Sequence, residues 1–585
     1  MKKLLSFLII GFLCVGCSQT TKVEQPTNNA DEETVKKFDT FLEQEFVETM
    51  ENDFLTLHYT IRNDETIEKY GIEIPEVSLG TLQVSDYEEN HKTNQAFYDE
   101  LMTFERDKLN QEQQITYDFF KTYLELSFEM DTNWQMDFLF TPMSSLTDNL
   151  LTNFVEYRFD DEKDVQNYLT LLADVDRYLD DALAFTQAQF DEGYSLSDYG
   201  LQSTIDSIEE FVAKDMDEQP LVIIFNNKIN ELGLSNADEY IQKNSDIITN
   251  EFIPAYQETA EQLASYIGKI PEANQGISGF ENGTKYYQSL VQNKLGSTDS
   301  FDEIFNETKE HLENSLVEYV LIVQNNPELE AELMNSSSYF TINDATQILK
   351  LLQDNYEKDF PDMGEIPFTV DYLDKTLISE STLAYYLNPP MDDYSHNVMK
   401  VNPNLKDDTT SLSTTLAHEG FPGHMLQFNY YHAQSPSPLR EIITPLGYVE
   451  GWAQYASTTA LPYFGMSEDL ARIYAINDMF GYYLQTLVDF GVNGYGWSVE
   501  ELEDFLSDYG YESIAQALYD EVAASPAIIT SYGYGLVKFE NYEKKAKDEI
   551  KNFDRVSFTT MLLKNGPLTF NILDQIVDDY IQNNK

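Results

Sequence analysis

Residues 416–427 read LAHEGFPGHMLQ and hold His418, Glu419 and, six positions after the first histidine, His424. Two imidazoles and a carboxylate are a ligand set suited to a divalent cation, zinc above all. Zinc-binding helices usually space their histidines four apart, so that both lie on one face. A regular helix advances about 100° per residue, so two residues six apart point about 240° away from each other. An unbroken helix therefore cannot aim His418 and His424 at one ion. Pro422 and Gly423 lie between them. Proline cannot donate to the helical ladder and pushes the preceding residue off helical angles, while glycine permits a sharp re-entry. The pattern predicts a helix ending near Gly420 or Phe421, a turn, and a second helix from Gly423 that returns His424 towards His418. The competing reading is a chance pair. Histidine is scarce, however: the seven are His58, His91, His311, His396, His418, His424 and His432, and three fall within fifteen residues. His58, His91, His311 and His432 read as structural or surface residues.

A catalytic zinc takes three protein ligands and a water, so one ligand must come from elsewhere. The segment LGYVEGWAQYAS places Glu450 in an apolar helical stretch with Val449, Trp452, Ala453 and Tyr455. A carboxylate buried there must be paired or metal-bound. Glu450 is the expected third ligand; the same residue as a solvent-facing or salt-bridged glutamate is the alternative. Glu419, next to a ligand but pointing to another side, is then placed to act as general base on the water.

These residues need elements to hold them. The chain has 585 residues, 42% hydrophobic and 13% aromatic, which marks a globular protein with a large core. In residues 165–190 apolar positions Val165, Leu169, Leu172, Leu179 and Leu183 recur at helical spacing, with acids opposite. Similar patterns run through 97–130, 203–214, 236–267, 301–323 and 465–490. Strand candidates are short: PFTVDYL at 367–373 and HNVMKVNP at 396–403. The expected fold is mainly α, with a small β-sheet beside the helix that carries the zinc site. Such a sheet edge can pair with an extended peptide. A soft boundary at 325–341 divides a helical lobe, 36–330, from a chemistry-bearing lobe, 331–585.

The N-terminus, MKKLLSFLIIGFLCVGC, has two lysines, an apolar run too short to span a bilayer, and Gly16-Cys17. It resembles a bacterial lipoprotein signal, 1–17, with Cys17 as the lipidated residue and 18–35 as a polar tether. An ordinary signal peptide with a chance cysteine is the alternative. Cys14 and Cys17 are the only cysteines, so a mature domain would have no disulfide and no thiolate chemistry. A net charge of −66 makes nucleic acid and anionic membrane surfaces poor partners.

HEGFPGHMLQ resembles the HExxPGHxxQ motif of a bacterial family catalogued as domain-of-unknown-function family 885, which is grouped by its motifs with the gluzincin metallopeptidases. EGWAQYAS resembles the family's EGWAxYxE block through Glu450, Gly451, Trp452, Ala453 and Tyr455. DFGVNGYGWS and PAIITSYGYG resemble two further blocks, carried here by Asp489, Gly491, Gly496, Trp497 and Ser498, then by Pro526, Ser531, Tyr532 and Gly535. AYYLNPP at 384–390 resembles a family segment as well. The resemblance implies a zinc site of His418, His424 and Glu450, with Glu419 activating water and Tyr532 stabilising the oxyanion. It places Gln427 as a support of His424, or as a surface glutamine. The chain departs from the family at Ser457 (Glu there), Asn493 (His there) and Ile528 (Gln there). Asn493 and, more loosely, His396 are candidates for substrate or supporting contacts.

The expected activity is zinc-dependent hydrolysis of peptide bonds at the extracytoplasmic face of the membrane, by a chain anchored through lipid. The alternative is a binding lipoprotein that captures peptides or another solute and has lost hydrolysis, for which the three departures speak. A zinc hydrolase acting on non-peptide amides is a third reading.

Overall fold

The computed structural model describes residues 30–270, 276–374 and 383–585. The signal segment, Cys17 and most of the tether lie outside the described residues. No described helix is long and apolar enough to cross a membrane.

The protein is mainly helical with two small sheets. The expected helices form, with breaks where the sequence supplies them. The 165–190 stretch divides at Asp174 into helices Glu162–Ala173 and Val175–Asp191. Asp161 starts the first by accepting hydrogen bonds from the Lys163 and Asp164 N–H groups. The 236–267 stretch runs from Ala237 to Ala264 through a π-turn at Ile248–Phe252.

Strands β1 (Phe140–Thr141) and β2 (Ser144–Ser145) form a hairpin. The second sheet has β3 (Phe368–Tyr372), β4 (Ala384–Leu387) and β5 (Asn397–Val401) in the order β3-β5-β4. β3 runs parallel to β5, whereas β4 is antiparallel to it, with Tyr386 opposite Met399. The alternation of β5 buries Asn397, Met399 and Val401 on one face. β3 and β5 match the two expected strands. β4 was not among them, because four residues of AYYL before Asn-Pro-Pro carry no alternating pattern.

The largest buried cluster draws on Met136 and on residues from Ile277 to Ile581, so it includes side chains on both sides of residue 330. A second cluster lies within Phe54–Tyr266. A third joins N-terminal Phe38, Phe46 and Phe119 to Leu439, Leu568 and Ile572 near the other end of the chain.

Candidate metal and active site

The helix Thr409–Glu419 begins at Asp408, whose carboxylate caps the Ser411 N–H, and ends as Gly420 leaves helical angles. Four residues later a new helix, His424–His432, begins after Gly423. The intervening turn is tightly held. Phe421 is fully buried and stacks on Tyr356 at 5.8 Å between ring centroids. The Phe421–Pro422 peptide is cis. Gly423 N–H donates to the Ala417 carbonyl at 3.1 Å. A Cβ on Gly423 would stand 1.7 Å from the His418 carbonyl oxygen, so only glycine lets the chain fold back this closely. The two imidazole centroids come to lie 4.8 Å apart, with the rings nearly perpendicular.

Glu450 arrives on the helix Leu446–Thr459. Trp452 of that helix donates its indole N–H to the Pro422 carbonyl at 3.2 Å, tying it to the turn between the histidines. The helix Thr530–Glu549 packs across it backbone to backbone, because Gly451 and Gly535 meet where a Cβ on Gly451 would be 2.4 Å from the Gly535 carbonyl carbon. That crossing brings Tyr532 beside the site. Its ring lies 6.2 Å from His418 and 5.8 Å from Tyr482.

The convergence is close. Glu450 Oε2 lies 3.3 Å from His418 Nε2 and 3.5 Å from His424 Nε2. Glu419 Oε1 is 3.9 Å from His418 Nε2, and ligand-capable atoms of His418, Glu419 and His424 all fall within 4.8 Å of one another. The two carboxylates differ in what already holds them. Glu419 Oε2 accepts the Tyr386 backbone N–H from the outer edge of β4 at 2.9 Å. Glu450 Oε2 is buried with no hydrogen-bond partner. A buried, unsatisfied carboxylate oxygen facing two imidazole nitrogens is the environment a cation would complete. His418, His424 and Glu450 offer donors of the kind zinc takes, and Glu419, whose ligand-capable oxygen also lies near both imidazoles, is the carboxylate already held by a backbone hydrogen bond.

Electrostatics agree with this division. Burial pushes the Glu450 carboxyl up, but the His418 and His424 imidazoles outweigh it and hold it well below the usual carboxylate range. Burial lowers His424, yet Glu450, with Glu419, raises it to about 9. Burial raises the Tyr532 phenol, as do Glu450 and Glu419, so it stays a hydrogen-bond donor at neutral pH. Gln427 sits under His424, its Oε1 3.3 Å from Nδ1. A proton on Nδ1 donated to that oxygen leaves Nε2 free to bind metal. Gln427→Ala is expected to weaken metal binding about 10- to 100-fold, read by chelator competition.

The pair also sets a pH dependence. In metal-free protein the raised His424 contributes stability that is full below about 6.5 and lost as pH rises through about 9. The lowered Glu450 contributes stability above about 4.5, lost in acid. Zinc needs His424 neutral, so its apparent affinity should rise about tenfold per pH unit up to pH 9 and level off beyond. Calorimetric titration of apo-protein across pH 6–10 measures it, and a flat profile would show that zinc does not displace a proton from a raised His424.

Asn493 and His396 are placed elsewhere. Asn493 is fully buried; its amide donates to Asp489 (2.7 Å) and to the Val522 carbonyl (2.8 Å), and its oxygen accepts the Ile277 N–H (3.0 Å). His396 is exposed and pairs with Asp393 at 2.7 Å. Among the described contacts neither touches the cluster. The Ser457 hydroxyl donates to the Gln454 carbonyl of its own helix (3.0 Å). His58 stacks on Tyr157, His311 pairs with Glu540 and His432 with Glu441. Two partners of the site carry no clear sequence signal: the Tyr386 N–H, a backbone group, and Tyr482, one of 39 tyrosines.

Fold and site together define a mainly helical protein in which two histidines and two glutamates from neighbouring helices meet beside a small sheet. The chain belongs to the family described as "Bacterial protein of unknown function (DUF885)", whose model matches residues 68–577. Its fold is similar to that of a solved protein of Colwellia psychrerythraea described as a "putative lipoprotein", with a TM-score of 0.78 at 16% identity over 94% of this chain and 99% of that one. A Shewanella oneidensis structure, described as a lipoprotein of the same standing and of unknown function, gives a TM-score of 0.62 at 16% identity, covering 92% and 99%. Among curated proteins no sequence matches this chain.

Proposed function

We propose that this protein is a zinc-dependent peptidase, held at the extracytoplasmic face of the membrane by lipid on Cys17. The anchor rests on the signal-like N-terminus and on the lipoprotein descriptions of its two structural neighbours. The observation that carries the hydrolytic reading is the orphaned Glu450 Oε2 between His418 and His424, next to a Glu419 already steadied by another element. A purely binding protein has no use for that second carboxylate.

His418, His424 and Glu450 would hold the zinc ion, which would supply Lewis acidity to the scissile carbonyl and to the attacking water. Glu419 takes the proton from the attacking water as its oxygen adds to the scissile carbonyl carbon, and passes that proton to the leaving amine. The Tyr386 N–H holds Glu419 Oε2, while Oε1 faces the His418 imidazole. Tyr532 donates a hydrogen bond to the carbonyl oxygen as it gains charge. β4 is an edge strand whose outer backbone groups lie beside Glu419, which suits an extended peptide over a compact solute.

The test is metal content of the purified full chain, then turnover of a diverse peptide mixture with and without chelator. One equivalent of zinc and chelator-sensitive cleavage are expected. Stoichiometric zinc with peptide capture but no cleavage would replace this reading with the binding lipoprotein.

A further inference from the structure

We propose that Asp478 selects substrates that carry a lysine or arginine side chain two or three residues from the scissile bond; this rests on the peptidase reading above.

Asp478 lies on the helix Glu468–Asp489, with Tyr474 one turn before it and Tyr482 one turn after, so the three form a stripe on one face. The stripe is located at both ends. The Tyr482 hydroxyl, raised by burial, also feels Asp478 and Glu450. The Tyr474 hydroxyl, likewise raised by burial, feels Asp478 and Asp408. Asp408 caps the start of the helix whose end carries His418. The stripe reaches the metal cluster at its Tyr482 end, where the Tyr482 ring lies 5.8 Å from Tyr532 and the Tyr532 ring 6.2 Å from His418.

Asp408 and Asp478 differ in their commitments. Asp408 accepts the Ser411 N–H at 3.1 Å and the Ser411 hydroxyl at 2.7 Å. Asp478 is exposed, and no hydrogen bond or ion pair engages it among the described contacts. Burial alone shifts its carboxyl, upward, with no cation offsetting it. The residue reaches solvent while its carboxyl is crowded, and a cation brought by a ligand would offset the hydration that crowding removes. Asp478 precedes Tyr482 by four residues, about 6 Å of helix rise, and the Tyr482 ring is 5.8 Å from Tyr532. An extended substrate advances about 3.3 Å per residue, so a long basic side chain two or three positions from the reacting bond spans that gap. The chain's net charge of −66 would also concentrate cationic peptides near the site.

The experiment uses peptides that differ only in Lys, Ala or Glu at each of three positions on either side of one bond. Wild-type protein should favour Lys over Ala at one position by about 10- to 100-fold in kcat/KM, falling with added salt. Asp478→Asn should bring that ratio near one, and Asp478→Lys should turn it towards Glu, with zinc content unchanged. A Lys preference that survives Asp478→Asn overturns the proposal. Binding of the Lys peptide to Glu419→Gln protein, with and without Asp478→Asn, is read by fluorescence anisotropy and separates the two claims. Asp478-dependent binding without cleavage by wild type sinks the peptidase and keeps Asp478 as a cation site. Cleavage with no charge preference sinks Asp478 and keeps the peptidase. Neither binding nor cleavage sinks both.

Discussion

Glu419→Gln should keep one equivalent of zinc and lower peptide turnover about 10²- to 10⁴-fold, the range a positioned general base contributes. The substitution is nearly isosteric. A glutamine oxygen can still accept the Tyr386 N–H that now holds Glu419 Oε2 at 2.9 Å, so the side chain need not move. What it loses is the ability to take a proton. The predicted signature is therefore a fall in kcat with little change in KM, which marks an interaction made only in the transition state. Glu450→Gln should behave differently. Its Oε2 lies 3.3 and 3.5 Å from the two imidazole nitrogens and makes no hydrogen bond, so its loss should empty the site and abolish turnover together with metal. If Glu419→Gln lost metal and Glu450→Gln retained it, the two carboxylates would have to exchange roles. If Glu419→Gln kept full turnover, the general-base assignment would fail outright.

Much of this was legible in the residues, for physical reasons that also explain the omissions. Pro422 and Gly423 between two histidines six apart required a broken helix, and the structure breaks it between Glu419 and His424. A glutamate in an apolar helix required a partner, and Glu450 faces two imidazoles. Helical periodicity over long stretches gave the mainly helical fold, because burial of one face repeats the same signal many times. Short or backbone-mediated features left no such trace. β4 is four residues long, and its contribution to the site is an N–H that every residue but proline carries. The approach of the Glu450 and Tyr532 helices depends on Gly451 and Gly535 meeting across 84 positions of sequence, which no local pattern encodes. Asn493 stands in a motif block, and its position there suggested a role in chemistry. Its side chain instead joins Asp489, Val522 and Ile277 in the core.

Gly423→Ala should cost about 3 kcal/mol or more, the upper range for forcing extra atoms into a packed site, and weaken zinc binding at least about 100-fold. The added methyl would meet the His418 carbonyl oxygen at 1.7 Å, the His418 carbonyl carbon at 2.5 Å and the Ala417 carbonyl oxygen at 2.8 Å. All three are backbone atoms at the end of the His-Glu helix, so no side-chain rotation relieves the clash. Either the turn opens and carries His424 away, or the last helical turn unwinds and moves His418; both separate imidazoles that now lie 4.8 Å apart. Gly481→Ala is the matched control. A Cβ there meets nothing within 4 Å on an exposed helical position, so it should be neutral or stabilising by up to about 1 kcal/mol. Thermal unfolding of the metal-free variants separates the cost to the fold from the loss of metal, which chelator competition reads directly. Undiminished zinc affinity in Gly423→Ala would mean that the close return of the chain is not what brings the two histidines to one ion.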